Sequence, residues 1–224
     1  MSRVRVAVLI SGRGSNLQSL IDAAKAPDYP AEIALVISNK EDAAGLQVAR
    51  DAGVPTKIIS HKVFGSREEF DAAIDAALRA ADIGIVCEAG FMRIHSEWFA
   101  RTWEGKLLNI HPSLLPLFPG IRVHQQALDA GVKESGCTVH FIVHELDSGP
   151  TIAQAAVPVL PGDTAETLAA RTAPGGQIAM SGILTGQEDE LLRRFSPWFD
   201  ALRATRQEDW MRIDGIRNAT AVAG

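Results

Sequence analysis

The sequence predicts an α/β protein: a mostly parallel sheet flanked by helices, with a Rossmann-like N-terminal half. Three observations carry that expectation. Short β-branched runs alternate with longer amphipathic runs through the first half of the chain. A glycine loop, Ile10-Ser11-Gly12-Arg13-Gly14-Ser15-Asn16, joins the first of these runs to the second. Further on, two apolar runs follow each other too closely for a crossover helix, so the second half is expected to be mixed.

Each element has its own signal. Val4 to Ile10 reads as a buried strand and Leu17 to Ala26 as the helix after the glycine loop. Ile33 to Ile37 is a second strand, followed by a helix from Asp42 to Asp51 that Gly53 ends. Thr56 to Ile59 is a short third strand. Ser66 opens a long helix with Glu69 as its capping-box partner, and Phe70, Ile74 and Leu78 recur four apart on one face. Ile83 to Val86 is a fourth strand. Leu107 to Ile110 is a strand that runs into His111-Pro112. Cys137 to Val143 and Ile152 to Val159 read as a hairpin about the link His144 to Pro150, and Thr164 to Arg171 as a capped helix. Trp198, Phe199 and Leu202 suggest one apolar helix face. No linker or repeat divides the chain. A single domain over 1–224 is expected, with a first half at 1–103 and a second at 104–224.

Composition narrows the function. The chain has 224 residues, 46% of them hydrophobic, and a net charge of −5. That charge offers no basic field for nucleic acid or an anionic membrane, so an anionic ligand needs a local site. Cys87 and Cys137 lie in apolar runs without ligand spacing, which favours buried thiols over a metal or a disulfide. No apolar run reaches ~18 residues and the N-terminus lacks a signal-peptide pattern, so a soluble cytoplasmic protein is expected.

Three segments carry candidate chemistry. In the glycine loop, Gly14, Ser15 and Asn16 stand where free helix N–H groups suit a phosphate. The loop lacks the third glycine of a dinucleotide motif and the ending of a P-loop, so a monophosphate is favoured. The alternative is a tight turn whose Ser15 or Asn16 merely caps the helix. In Leu108-Asn109-Ile110-His111-Pro112, Asn109 and His111 share one strand face at its terminus. Asparagine can donate to an oxyanion and histidine can carry protons near neutral pH. The alternative is a satisfied strand-end pair. The acidic turn His144-Glu145-Leu146-Asp147-Ser148-Gly149-Pro150 offers Asp147 as an orienter of an imidazole, or as a plain turn former. His140, on the strand before it, is a weaker candidate.

These segments in this order resemble the phosphoribosylglycinamide formyltransferase family. VLISGRGSNLQSLIDA, VISNK, SRE at Ser66 to Glu68, AGFMRI, LLNIHPSLLPLFPG and VHFIVHELDSGPTIAQAAVPV look like its blocks, from about residue 4 to residue 171. The resemblance implies a seven-stranded formyltransferase fold with a phosphate-binding half at 1–103 and a catalytic, folate-binding half at 104–224. It implies transfer of the formyl group of 10-formyltetrahydrofolate to the amine of glycinamide ribonucleotide, a step of purine biosynthesis, without a metal. Asn109, His111 and Asp147 match the catalytic trio. Gly14, Ser15 and Asn16 match the phosphate loop. Arg67, Met92, Arg93, Ile94, His95, Asn109, Val143, His144, Glu145, Leu146 and Asp147 match folate positions. Small-molecule substrates, no nucleic acid, no membrane, and a monomer or homodimer complete the expectation. A deformylase, another formyltransferase of the same fold, or a non-catalytic binding homologue are the rival readings.

The sequence departs from the family at several places. Thr172-Ala173-Pro174-Gly175-Gly176 replaces a helical stretch, with Gly176 near the place of a glutamate that contacts the ribonucleotide. Proline and glycine cost about 3 and 1 kcal/mol in a helix interior, so a loop or shifted helix is expected over 172–187. His95 stands where leucine is usual, Glu88 where the pattern is apolar, and Leu117 where lysine is common.

Overall fold

The computed structural model describes residues 2–172, together with the backbone of 177–184, 199–207 and 210–217. The chain divides into two compact units: 1–110 with 141–149, and 111–140 with 150–224. In the first unit strand pairing continues through Asn109. The turn from Phe141 also belongs to that unit, where the Ile142 N–H donates to the Leu107 carbonyl at 2.9 Å.

The first unit is built from β1 (Val4–Ile10), α1 (Ser15–Ala24), β2 (Ala31–Ser38), α2 (Gly45–Asp51), β3 (Thr56–Ile58), α3 (Arg67–Ala80), β4 (Ile85–Glu88), α4 (Glu97–Thr102) and β5 (Leu107–His111). Its strands lie in the order β3-β2-β1-β4-β5 and pair in parallel. Alternation along β1 explains the two-sided core. Val6, Val8 and Ile10 pack with Leu17, Ile21 and Leu46 on one face, while Ala7 and Leu9 pack with Phe70, Ile74 and Leu78 on the other. The strand order reverses between β1 and β4, and open α/β sheets bind ligands beyond the carboxyl ends of their strands at such a switch.

The expected cap of α3 is present in a modified form. The Ser66 hydroxyl accepts from the Glu69 N–H at 3.1 Å, and the Glu69 carboxylate reaches one residue further back, to the Gly65 N–H at 2.8 Å. Two short helices, α4 and α5 (Val123–Asp129), carry no pattern long enough to be read from the sequence.

The second unit contains α5, β6 (Glu134–Phe141), β7 (Thr151–Pro158), α6 (Ala165–Thr172), β8 (Gln177–Leu184), β9 (Phe199–Gln207) and β10 (Trp210–Arg217). β6 and β7 form the expected antiparallel hairpin. Two expectations fail beyond it. Residues 177–184, expected as a loop or shifted helix, form strand β8 against β7 and β10. The apolar helix face that included Phe199 and Leu202 is instead part of strand β9; Trp198 and the Pro174-Gly175-Gly176 stretch lie outside the described residues. Cross-strand pairing decided these segments, and apolar spacing over a few residues cannot separate helix from strand. Among the described residues seven strands lie between Val4 and Pro158, and three more between Gln177 and Arg217.

Candidate functional site

The glycine loop turns at Gly14, which holds a left-handed φ of 83° and is the residue before α1. No side chain caps α1, so neither Ser15 nor Asn16 spends itself as a helix cap. Ser15 is exposed and Asn16 half-buried at the helix N-terminus. Gly14 is required there twice over. A Cβ on it would sit 2.5 Å from the Cα of Gly45 and would also meet the left-handed penalty. Gly45, whose N–H donates to the Gly12 carbonyl at 3.0 Å, is a supporting residue that sequence reasoning missed.

Ser11 ties this loop to its neighbours. Its hydroxyl donates to the Asn39 side-chain oxygen at 2.6 Å and accepts from the Met92 N–H at 2.8 Å. The Ser11 N–H donates to the Gly90 carbonyl at 3.2 Å. Asn39 in turn donates to His61 Nδ1 at 3.3 Å. The loops after β1 and β4 are therefore linked through one buried hydroxyl at the switch point.

The loop after β4 presents Met92, Arg93 and Ile94 to solvent, with Met92 65% and Ile94 52% exposed. Exposed apolar side chains beside a polar loop suit an aromatic ligand face. Arg67, at the start of α3, is exposed as well. His95 differs from these. It is buried, with its ring between Phe91 and Phe99 at centroid distances of 5.5 and 4.2 Å. Its Nδ1 lies 2.7 Å from Asp71 and its Nε2 2.6 Å from Glu88. The His95 side chain is thus turned inward and held by two carboxylates. Burial alone works against its charge. The Glu88 carboxylate and the hydrogen bonds that the ring donates to both acids outweigh that and raise its pKa to about 9. Burial pushes the Glu88 carboxyl upward, and His95 opposes the shift.

Asn109 is half-buried near the end of β5, in register with Glu88 on β4. Asp147 is half-buried in the turn after Phe141 and adopts a left-handed φ of 51°. Its charge is felt by Glu88. Val143 is half-buried, and His144, Glu145 and Leu146 are exposed on the same turn, which the Ser148 hydroxyl closes by donating to the Glu145 carbonyl at 3.0 Å. Gly149 is buried where any Cβ would collide with the Phe141 carbonyl.

His111, in the second unit, is buried, and its Nε2 lies 3.0 Å from the Phe118 carbonyl oxygen. A carbonyl only accepts, so Nε2 carries the proton there. Sequence reasoning missed the frame around this histidine. Ser113 donates to the Leu117 carbonyl at 2.6 Å. The buried Thr138 hydroxyl donates to the Ser113 carbonyl at 2.7 Å and accepts from Leu115 N–H and Gln154 at 3.0 Å each. His140 is buried on β6. Among the described residues no group of His, Cys, Asp or Glu is arranged to hold a metal, and no helix is long and apolar enough to cross a membrane.

The arrangement can be set beside known proteins. A family model described as formyl transferase matches residues 4–184, and one described as ribosomal protein L11 methyltransferase matches residues 162–218. The phosphoribosylglycinamide formyltransferase of Escherichia coli (strain K12) is 41% identical over 214 residues, 96% of this chain and 95% of that protein. The trifunctional purine biosynthetic protein adenosine-3 of Homo sapiens is 56% identical over 169 residues, 75% of this chain and 17% of that protein. This chain therefore spans about a sixth of the length of that trifunctional relative. The crystal structure of phosphoribosylglycinamide formyltransferase from Brucella melitensis matches with a TM-score of 0.73 and 56% identity, over 76% of this chain and 88% of that one. By its glycine loop, its strand order and these likenesses, the chain belongs to the formyl transferase family, among the phosphoribosylglycinamide formyltransferases.

Proposed function

We propose that the protein transfers the formyl group of 10-formyltetrahydrofolate to the amine of glycinamide ribonucleotide, in purine biosynthesis. The observation that carries this reading is the end of β5. There Asn109 and His111 follow one another at strand spacing, and the Phe118 carbonyl fixes the imidazole through Nε2. Gly14, Ser15 and Asn16 take the ribonucleotide phosphate on the free N–H groups of α1. Met92, Arg93 and Ile94, with Arg67, Asn109 and the turn from Val143 to Asp147, hold the folate.

The amine nitrogen attacks the formyl carbon, and the carbonyl oxygen becomes an oxyanion. Asn109 donates its amide N–H to that oxygen, and His111, doubly protonated in this step with Nε2–H held by the Phe118 carbonyl, donates a second hydrogen bond from Nδ1. The tetrahedral carbon then collapses, breaking its bond to the folate nitrogen. The proton lost by the attacking amine balances the one gained by the leaving nitrogen, and Asp147 carries it through water. The enzyme is cytoplasmic in this reading.

The test is an assay with 10-formyltetrahydrofolate, with and without glycinamide ribonucleotide. Formyl transfer only when the ribonucleotide is present supports the reading. Formate release without it establishes a deformylase, and binding of both ligands without turnover establishes a non-catalytic homologue.

A further inference from the structure

Asp71, Glu88 and His95 form a buried line that the reaction does not use. Glu88 is the last residue of β4, and His95 comes seven residues on, at the far end of the exposed loop. Their 2.6 Å contact closes the loop at its base. Asp71, on α3, holds the other imidazole nitrogen at 2.7 Å with one oxygen and accepts from the Ser96 N–H at 2.6 Å with its second. Ser96 in turn caps α4 by accepting from the Phe99 N–H at 3.3 Å. Three elements, α3, β4 and α4, are thus fastened to both ends of the loop by directional bonds. An apolar pair at 88 and 95 would fill the same space by packing alone, without fixing direction. Buried charge is poor value as stability, since desolvation offsets most of the attraction, but it does fix geometry.

We propose that Asp71, Glu88 and His95 are positioning residues that hold the Ala89–Ile94 loop in the conformation that binds the formyl donor. This rests on the reading of Met92, Arg93 and Ile94 as donor contacts. The test substitution is Glu88→Gln, which keeps the shape and removes the charge. Misplacing a binding loop by about 1 Å can cost two orders of magnitude, so a roughly tenfold rise in KM for 10-formyltetrahydrofolate is expected. The KM for glycinamide ribonucleotide and kcat stay within about threefold, because the glycine loop and the strand-end residues are not the groups fastened. An unchanged donor KM in both Glu88→Gln and the double variant Glu88→Leu with His95→Leu would overturn the proposal. Hydrogen exchange of the Met92, Arg93 and Ile94 amides in the intact chain is read in parallel and needs no substrate. Faster exchange in Glu88→Gln supports the array even if the protein does not use a formyl folate, and unchanged exchange overturns it.

Discussion

Glu88, the last residue of β4, is the register partner of Asn109 on β5. A buried acid therefore stands beside the residue assigned to stabilise the oxyanion. Asn109→Ala is expected to lower kcat by roughly 10²–10³-fold, the usual loss for one oxyanion donor. Asn109→Asp should be worse, because it sets a second carboxylate next to Glu88. Steady-state kinetics at saturating substrates decide the order.

His111→Ala and Asp147→Asn should each lower kcat by at least about 10²-fold, as expected for proton-transfer groups. Turnover within a few-fold of the parent in either variant would remove that residue from the mechanism.

Gly14→Ala should damage the phosphate site and the fold together. The added methyl would press on the Gly45 backbone, where no side chain can move aside. A loss of about 1–3 kcal/mol in unfolding free energy follows from the strained φ. A raised ribonucleotide KM should accompany it. Urea denaturation and the KM series measure the two effects separately.

Stability should fall as pH rises from about 6.5 to about 9. His95 keeps its proton in the folded protein up to about 9, whereas the unfolded chain loses it near 6.5. Its contribution is complete below the unfolded value and is lost as pH passes the folded one. Glu88, raised by burial, shifts in the same direction. The groups facing His95 are Asp71 from α3 and Glu88 from β4, with Phe91 and Phe99 on its faces. Thermal melts across this range, on the parent and on the double variant Glu88→Leu with His95→Leu, should separate. The double variant should show the flatter profile.

Thr138→Val removes a hydroxyl that serves three partners around the frame of His111. Leaving buried groups unpaired costs about 1–3 kcal/mol, and kcat should drop through the displaced Phe118 carbonyl. Chemical denaturation together with kcat checks both.

The sequence was readable where its signals were local. β1 runs from Val4 to Ile10 as the apolar pattern requires, Ser66 caps α3, and β6 and β7 form a hairpin. The glycine loop and Asn109-x-His111 were readable for the same reason, as short segments tied to strand ends. What could not be read depends on partners distant in sequence. Gly45 matters because the backbone of Gly14 lies against it, and the Phe118 carbonyl because the chain folds back to His111. His95 carries the same residue type that marks a ligand contact, and only the carboxylates at 71 and 88 reveal that it turns inward. β8 and β9 were misread because strand pairing overrode a weak helical spacing.

The Ser11 hydroxyl has a thermodynamic consequence for the two proposed substrates. It bridges the loop assigned to the ribonucleotide and the loop assigned to the formyl donor. Ordering either loop then lowers the entropic cost of ordering the other, so the two affinities should be cooperative. Linkage requires the coupling to be the same whichever ligand arrives first. Titrating each ligand calorimetrically in the presence and absence of the other measures it twice. Ser11→Ala should shrink both values by an equal factor.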